Sequence, residues 1–466
     1  MTSGGRHIGL VCVLAIAGLL ALAPSASALS RPRDLAGAAL HPWRLETRSY
    51  APMWPLRDPS LRERTFGKLE EAGIRRARVD LKWSTVQPYP TTLVNDWSEF
   101  DGIVASARRH HVQLEPIVAF TPGWANHNQG PWVYPTYPSQ FEDFLAGAMA
   151  RYPDIPMWEI WNEPNSSLFS PPRPDAGKFV LMLRAASRAR ERAGSNARIV
   201  SGGLTPGAEV EVPEFAEQIA RLGAFRYADA LGVHPYSHLR PDRRGSSFLE
   251  LPKLHSRVSR VAGRQVDLWI TEYGFPNARV RSGYGPPAGE QEQATRLQRA
   301  FAIAVGWPWL KRLTWYGFRD DCANPRHADC RFGLLNEDFS PKRAWYGLLQ
   351  VLAGNLPSLD TAISLRRKSG VVRRRRKRRR VHSLSGGVFM PGTDPARGKV
   401  VVTAKRRYRR RRGWRRITTT LVNGRYNVSL GRLRRGRWHF RAEFKGNSRY
   451  SPSSSRTLFL RVRKRR

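Results

Sequence analysis

Two glutamates in this 466-residue sequence sit in settings where a carboxyl group could do chemistry. Glu163 lies in Trp161-Asn162-Glu163-Pro164-Asn165, and Glu272 lies in Thr271-Glu272-Tyr273-Gly274, 109 residues further on. Each follows a short apolar run. Carboxyl groups facing each other among aromatic side chains can cleave a glycosidic bond, one protonating the leaving oxygen while the other attacks the anomeric carbon. Taken singly neither motif means much: a Glu after a strand is usually a solvated loop residue, and Asn-Glu-Pro reads equally well as a turn opening a helix. The pair gains weight from its company, which is Arg78, His234, Tyr236 and Trp315, each near the end of another apolar run. Arg78 and a hydrogen bond from Tyr236 would keep Glu272 ionised for attack, while apolar neighbours such as Trp161 and the charge of Glu272 would keep Glu163 protonated at the start. Asn162 would reach the 2-hydroxyl of the sugar. His234 reads equally as a buried tie between loops or as a sugar contact. Trp315, Trp124, Trp83, Trp132 and Tyr134 offer flat faces to pyranose rings or to packing, with Trp315 the strongest candidate for the site. The reading calls for no cofactor and no metal.

Such residues need a scaffold that brings distant runs together. Between Leu40 and Gly354 short apolar runs alternate with amphipathic stretches. The strand candidates are Thr47 to Ala51, Arg75 to Asp80, Gln113 to Ala119, Met157 to Ile160, Arg198 to Ser201, Ala230 to Val233, Leu268 to Ile270 and Leu313 to Tyr316. Helical patterns separate them, from Ser60 to Ala72 at the start to Pro341 to Leu352 at the end. Eight strand-then-helix units without a Gly-rich phosphate loop after the first strand predict an α/β fold, a (β/α)₈ TIM barrel, rather than an open doubly wound sheet. A barrel collects its chemistry at the C-terminal ends of its strands, where these residues fall.

The segment Trp158-Glu159-Ile160-Trp161-Asn162-Glu163-Pro164-Asn165, together with Ile270-Thr271-Glu272-Tyr273-Gly274, resembles glycoside hydrolase clan A, particularly families 5 and 39, over residues 40 to 354. The resemblance implies an exported retaining O-glycosyl hydrolase acting through a covalent glycosyl-enzyme intermediate, with Glu163 as acid/base and Glu272 as nucleophile. It also places Arg78 on strand two, His234 and Tyr236 on strand six and Trp315 on strand eight. The strand-three segment Thr121-Pro122-Gly123-Trp124-Ala125 and the stretch from Asn126 to Tyr137 match no one family's substrate loop.

The two ends of the chain differ from its middle. Arg6 and His7, an apolar run from Ile8 to Ala23 and the small residues Ala26 and Ala28 read as a signal peptide over 1–28, cleaved after Ala28. The 16-residue run is short for a membrane span, which takes about 20 residues. In an exported protein, Cys322 and Cys330, closing a short polar loop, are most simply a disulfide, with a metal site including His327 as the lesser alternative. The formal charge is +42, yet residues 361–466 hold 36 Lys and Arg against Asp394 and Glu443 alone. After the barrel over 29–356, a basic linker is expected over 357–380, of which 373–380 are all basic. Short alternating strands separated by Gly-rich turns then predict a small β-sandwich over 381–466, which resembles bacterial immunoglobulin-like modules. Self-repulsion on that scale calls for a polyanionic partner, such as an anionic cell-wall or extracellular polymer. No signature of sequence-specific nucleic-acid binding accompanies the charge. Two functions remain: a secreted glycosidase with a basic attachment module, or a non-catalytic polysaccharide-binding or wall-adhesion protein. The presence of both glutamates favours the first.

Overall fold

The computed structural model describes residues 26–40, 56–320, 326, 328–374, 377–392, 396–408, 411–431 and 433–462. Its first body is a closed barrel of eight parallel strands, each hydrogen-bonded to the next: β1 (Ala36–Ala39), β2 (Arg76–Lys82), β3 (Gln113–Ala119), β4 (Met157–Ile160), β5 (Arg198–Ser201), β6 (Ala230–Val233), β7 (Asp267–Tyr273) and β8 (Leu310–Tyr316). Strand β8 closes back on β1 with Ala36 opposite Leu313 and Ala39 opposite Tyr316. The helices are α1 (Ala26–Leu35), α2 (Pro59–Ala72), α3 (Trp83–Val86), α4 (Ser98–Arg109), α5 (Pro138–Arg151), α6 (Ala176–Arg192), α7 (Val212–Arg221), α8 (Ser247–Ala262), α9 (Glu290–Ala304) and α10 (Arg343–Leu352). Local chemistry sets their limits. Helix α2 starts at Asp58, whose carboxylate accepts from the backbone N–H groups of Ser60 and Leu61, and it stops at Gly73 in the left-handed region.

The first strand departs from expectation. It is Ala36–Ala39, upstream of the segment Thr47 to Ala51, which lies outside the described residues. Nothing in Ala36-Gly37-Ala38-Ala39 has the β-branched or aromatic character by which strands are read. Small residues suit the place: a Cβ on Gly37 would stand 3.0 Å from Thr314 Oγ1 on β8.

Strand alternation sorts β2 into two sets. Ala77, Val79 and Leu81 are buried in the hydrophobic core, while Arg76, Arg78, Asp80 and Lys82 carry the polar chemistry of the barrel's interior. Arg312 of β8 joins Glu115 of β3 across that interior at 2.7 Å.

The second body consists of two antiparallel sheets. The first contains β9 (Ala362–Ile363), β10 (Arg366–Arg374), β11 (Lys377–Phe389) and β14 (Arg425–Gly431). The second contains β12 (Lys399–Tyr408), β13 (Arg411–Thr420), β15 (Gly436–Phe444), β16 (Ser453–Ser454) and β17 (Leu458–Val462). Leu384, Tyr426 and Val428 of one sheet and Val400, Val402 and Phe440 of the other belong to one hydrophobic cluster that runs on into the barrel, so the region is an all-β domain packed against it. The stretch 357–380 is therefore more than the expected linker: it supplies β9, β10 and the start of β11. Strand pairing uses backbone groups, which a run of like side-chain charge leaves intact.

The two bodies are packed together. At the C-terminus of α9, Arg449 Nη2 donates to the carbonyls of Ala302 (3.0 Å) and Ile303 (3.1 Å), and Trp307 Nε1 donates to Gly392 O at 3.1 Å. Arg31 of α1 satisfies Val305 O from the other side at 2.9 Å. A helix C-terminus carries unpaired carbonyls and partial negative charge, and two arginines meet both needs here. Among the described residues no helix is long and apolar enough to cross a membrane.

Candidate active site

The site is built outward from Arg78 in the middle of β2. Its guanidinium is 5% exposed and spends three nitrogens on three partners. Nε donates to Glu159 Oε2 at 2.5 Å, Nη1 to Glu272 Oε1 at 2.7 Å and Nη2 to Asn162 Oδ1 at 3.2 Å. Burial opposes the charge on Arg78, but the two carboxylates outweigh it and hold the group above its ordinary value. One cation thus ties strands β2, β4 and β7 at the mouth of the barrel.

Glu159 is the residue that sequence reasoning missed. It is 0% exposed and accepts from Arg78, from Thr271 Oγ1 at 2.9 Å and from the Gly203 backbone N–H at 3.1 Å. A glutamate in the middle of an apolar strand was the available signal, since a buried acid needs partners of this kind.

Beyond β4 the chain turns sharply. Trp161 and Glu163 both take positive φ, 73° and 40°, with Asn162 between them. Non-glycine residues there cost about 1–3 kcal/mol each, so neighbours must hold them. Trp161 Nε1 donates to Phe169 O at 2.6 Å. Asn165, fully buried, donates to Thr205 O and Val210 O and accepts from Thr205 N. The turn brings Asn162 to Arg78 and Glu163 to His234.

His234, at the end of β6, has no exposed surface. Its Nδ1 lies 2.9 Å from Glu163 Oε1 and its Nε2 lies 3.0 Å from Thr271 Oγ1. Because the Thr271 hydroxyl gives its one proton to Glu159, it can only accept from His234, so Nε2 carries a hydrogen. The Nδ1–Glu163 contact then holds a single proton that belongs to the imidazolium or to the carboxylic acid. Burial pulls the His234 pKa down, but the charge of Glu272 and the hydrogen bond with Glu163 outweigh it and raise it above the ordinary value. Gly203 makes room for this ring: a Cβ there would lie 2.0 Å from His234 Nε2.

Glu272 receives Arg78 on one oxygen and the Tyr236 hydroxyl on the other, at 2.9 Å. Burial, reinforced by the charge of Glu272, pushes the Tyr236 phenol well above its ordinary range, so it stays a donor. Oxygens of Glu163 and Glu272 and a ring nitrogen of His234 lie within 4.8 Å of one another. By distance alone that set could hold a divalent ion. Both oxygens of Glu272 are already spent on donors, however, one of them a guanidinium, and this arrangement suits attack on carbon and transfer of a proton better than it suits a cation.

The aromatic candidates divide. Trp315 is 0% exposed, shares the strand parity of Leu313, packs its ring edge against Tyr273 and donates its indole N–H to Phe332 O at 3.0 Å. It is therefore wall packing in this structure, in contrast to the sugar platform expected on β8. The next residue, Tyr316, has the opposite parity and, with the likewise half-buried Tyr236 and Tyr284, packs around the buried Phe332 beside Glu272. Trp124 is half-buried in the loop after β3, with its indole N–H on Gln87 O at 3.0 Å and its ring against Trp83. Trp83 and Trp132 are buried, and the Tyr134 ring lies 4.6 Å from that of Trp161. Cys330 is 3% exposed in the turn before Phe332, while Cys322 lies outside the described residues.

No family model matches the sequence and no curated relative matches it. Solved structures do match in fold, and they are clan A glycoside hydrolases. A family 39 glycoside hydrolase from Bacteroides cellulosilyticus aligns with a TM-score of 0.55 at 19% identity, covering 87% of this chain and 80% of that one. A GH5_18 protein from Streptomyces cattleya, solved in complex with Manβ1-4GlcNAc, aligns with a TM-score of 0.53 at 15% identity, covering 68% of this chain and 80% of that one. A family 1 β-glucosidase from Thermotoga maritima aligns at 0.50 and 15% identity, covering 70% and 98%. At these identities the likeness establishes the barrel fold, and the chemistry must be argued from the residues themselves.

Proposed function

We propose that this protein is a retaining glycoside hydrolase in which Glu272 attacks the anomeric carbon and Glu163 protonates the leaving oxygen. The observation that carries the reading is the opposed pair itself, with carboxyl oxygens within 4.8 Å of each other at the barrel mouth. Retaining enzymes hold their carboxyl groups about 5–5.5 Å apart, whereas inverting ones need about 6.5–9.5 Å to admit a water. The partners suit the roles. Glu272 is aimed by Arg78 and Tyr236 and has no proton donor to spare, as a nucleophile requires. Glu163 shares a proton with His234. Once the glycosyl ester forms, the charge on Glu272 is gone, and Glu163 can take a proton from the incoming water. Asn162, fixed by Arg78, stands beside the nucleophile, where a contact with the sugar 2-hydroxyl would strengthen in the transition state.

The test uses aryl glycosides with good leaving groups. Glu272→Ala should lower turnover by on the order of 10⁴-fold, and added azide should yield only the inverted glycosyl azide. Glu163→Ala should keep the first step on activated substrates, with azide giving the retained product. Equal loss on every substrate in both variants would end this division of roles.

We further propose that the all-β domain attaches the enzyme to an anionic polymer outside the cell. The β12–β15 register sets Arg407 opposite Arg437, and the β15–β17 register sets Arg437 opposite Arg461. Like charges directly opposite each other destabilise a strand pair, and counter-charge from a partner relieves them. Trp414, 72% exposed and opposite Lys405, adds an apolar face to that sheet. An immunoglobulin-like ancestry, export through residues 1–28 and a Cys322–Cys330 bridge belong to the same proposal. N-terminal sequencing of the mature protein and titration of its thiols test the last two.

A further inference from the structure

We propose that Asp80 is a glycone-recognition residue, a carboxylate that accepts hydrogen bonds from two adjacent hydroxyls of the sugar ring bound over Glu272. The inference rests on the glycosidase reading and adds the group that selects the sugar.

Asp80 shares the inward parity of Arg78 and lies two residues closer to the C-terminal mouth, about 6.6 Å along the strand. That is one layer above the guanidinium that holds the nucleophile. Its Oδ2 is buried and has no hydrogen-bond partner among the described residues. The neighbours that could have served are engaged elsewhere: the bonds of Arg78 run to Glu159, Glu272 and Asn162. Arg78 and, more weakly, Lys82 attract Asp80 by charge, while Glu272 and Glu159 repel it. Burial raises the Asp80 pKa to about 6. Leaving a buried acceptor unmet costs about 1–3 kcal/mol, and more when it is charged. A merely structural role would be better filled by a residue without that penalty, such as the Val and Leu that flank it on the outward face.

The missing donors can be specified. A carboxylate accepts at two oxygens in one plane, which matches hydroxyls on neighbouring ring carbons. Because the ring over Glu272 is the one that becomes covalently attached, the hydroxyls concerned belong to the glycone and not to the leaving group.

The experiment compares the wild type with Asp80→Ala and Asp80→Asn, using the 4-nitrophenyl glycoside that the wild type turns over best and the monodeoxy analogues of that sugar. Removing either of two adjacent hydroxyls should lower wild-type kcat/KM by about 100-fold, the scale of a hydrogen bond to a charged group. Asp80→Ala should lose a similar factor on the parent glycoside and then be indifferent, within about twofold, to those same two deletions, while still responding to loss of the 2-hydroxyl. Asp80→Asn keeps the shape and removes a charge whose burial outweighs the pull of Arg78 and Lys82, so it should melt no lower than the wild type, which separates recognition from folding. The proposal is overturned if either variant keeps wild-type kcat/KM, or if both lose the same factor on every analogue. A wild type that turns over no glycoside at all would instead remove the glycosidase reading, and this inference with it.

Discussion

The barrel mouth and the all-β domain handle charge in opposite ways. Buried cations of the barrel body meet acids within the same chain: Arg78 with Glu159 and Glu272, Arg312 with Glu115, and Lys342 with Asp320 at 2.8 Å. Residues 361–466 hold 36 basic residues and two acids, so internal pairing of that kind is arithmetically out of reach. Charge that is compensated internally fixes geometry. Charge left uncompensated fixes a need for something else. The first region can therefore be judged from its own contacts, and the second, on the attachment proposal, by what it would bind.

The contrast is tested most severely in the tail. Binding of the protein to a polyphosphate should weaken by roughly three orders of magnitude or more between 50 and 200 mM salt if six to ten phosphate contacts form. Salt-insensitive binding to a neutral glucan would show that the domain reads sugar shape. Inside the barrel, Arg78→Met leaves Glu159 and Glu272 buried without their counter-charge and should cost about 3–5 kcal/mol, read by denaturant unfolding. Gly203→Ala pushes a methyl group into His234 and should cost about 1–3 kcal/mol, read by the same method. It should also change the pH dependence of kcat on substrates with poor leaving groups, because the proton shared with Glu163 is displaced. On the exterior, Asp154→Asn breaks a pair with Arg108 in which both side chains are more than half exposed, and the loss should stay below about 1 kcal/mol. A large effect there would blur the distinction between buried and surface pairing.

How much of this was readable beforehand depends on what each residue was being asked to do. Strands β3 to β6 fall where the apolar runs predict, because each run is bounded by polar or turn residues and filled with residues that pack on a pleated sheet. Strand β1 escaped because its role is to leave space. Glu163, Glu272, Arg78, Asn162, His234 and Tyr236 could be found from motifs at strand ends, and the structure brings all six together. Glu159 offered only a weaker signal, an acid inside an apolar strand, which calls for buried partners without saying that they come from other strands. Trp315 was misplaced for a different reason: whether a side chain at the end of β8 faces the cavity or the helices turns on a parity of one residue, and the sequence pattern near Trp315-Tyr316 is aromatic on both faces.

The union at the end of α9 has a consequence for how an anchored enzyme would work. A catalytic body on a flexible leash searches a sphere around its anchor. Here Arg449 and Trp307 weld the two bodies, so a polymer held by the tail would present the barrel in one fixed attitude. The mouth would then reach only those chains that diffuse or bend into it, and turnover on an immobilised substrate would follow the mobility of that substrate rather than the length of any tether.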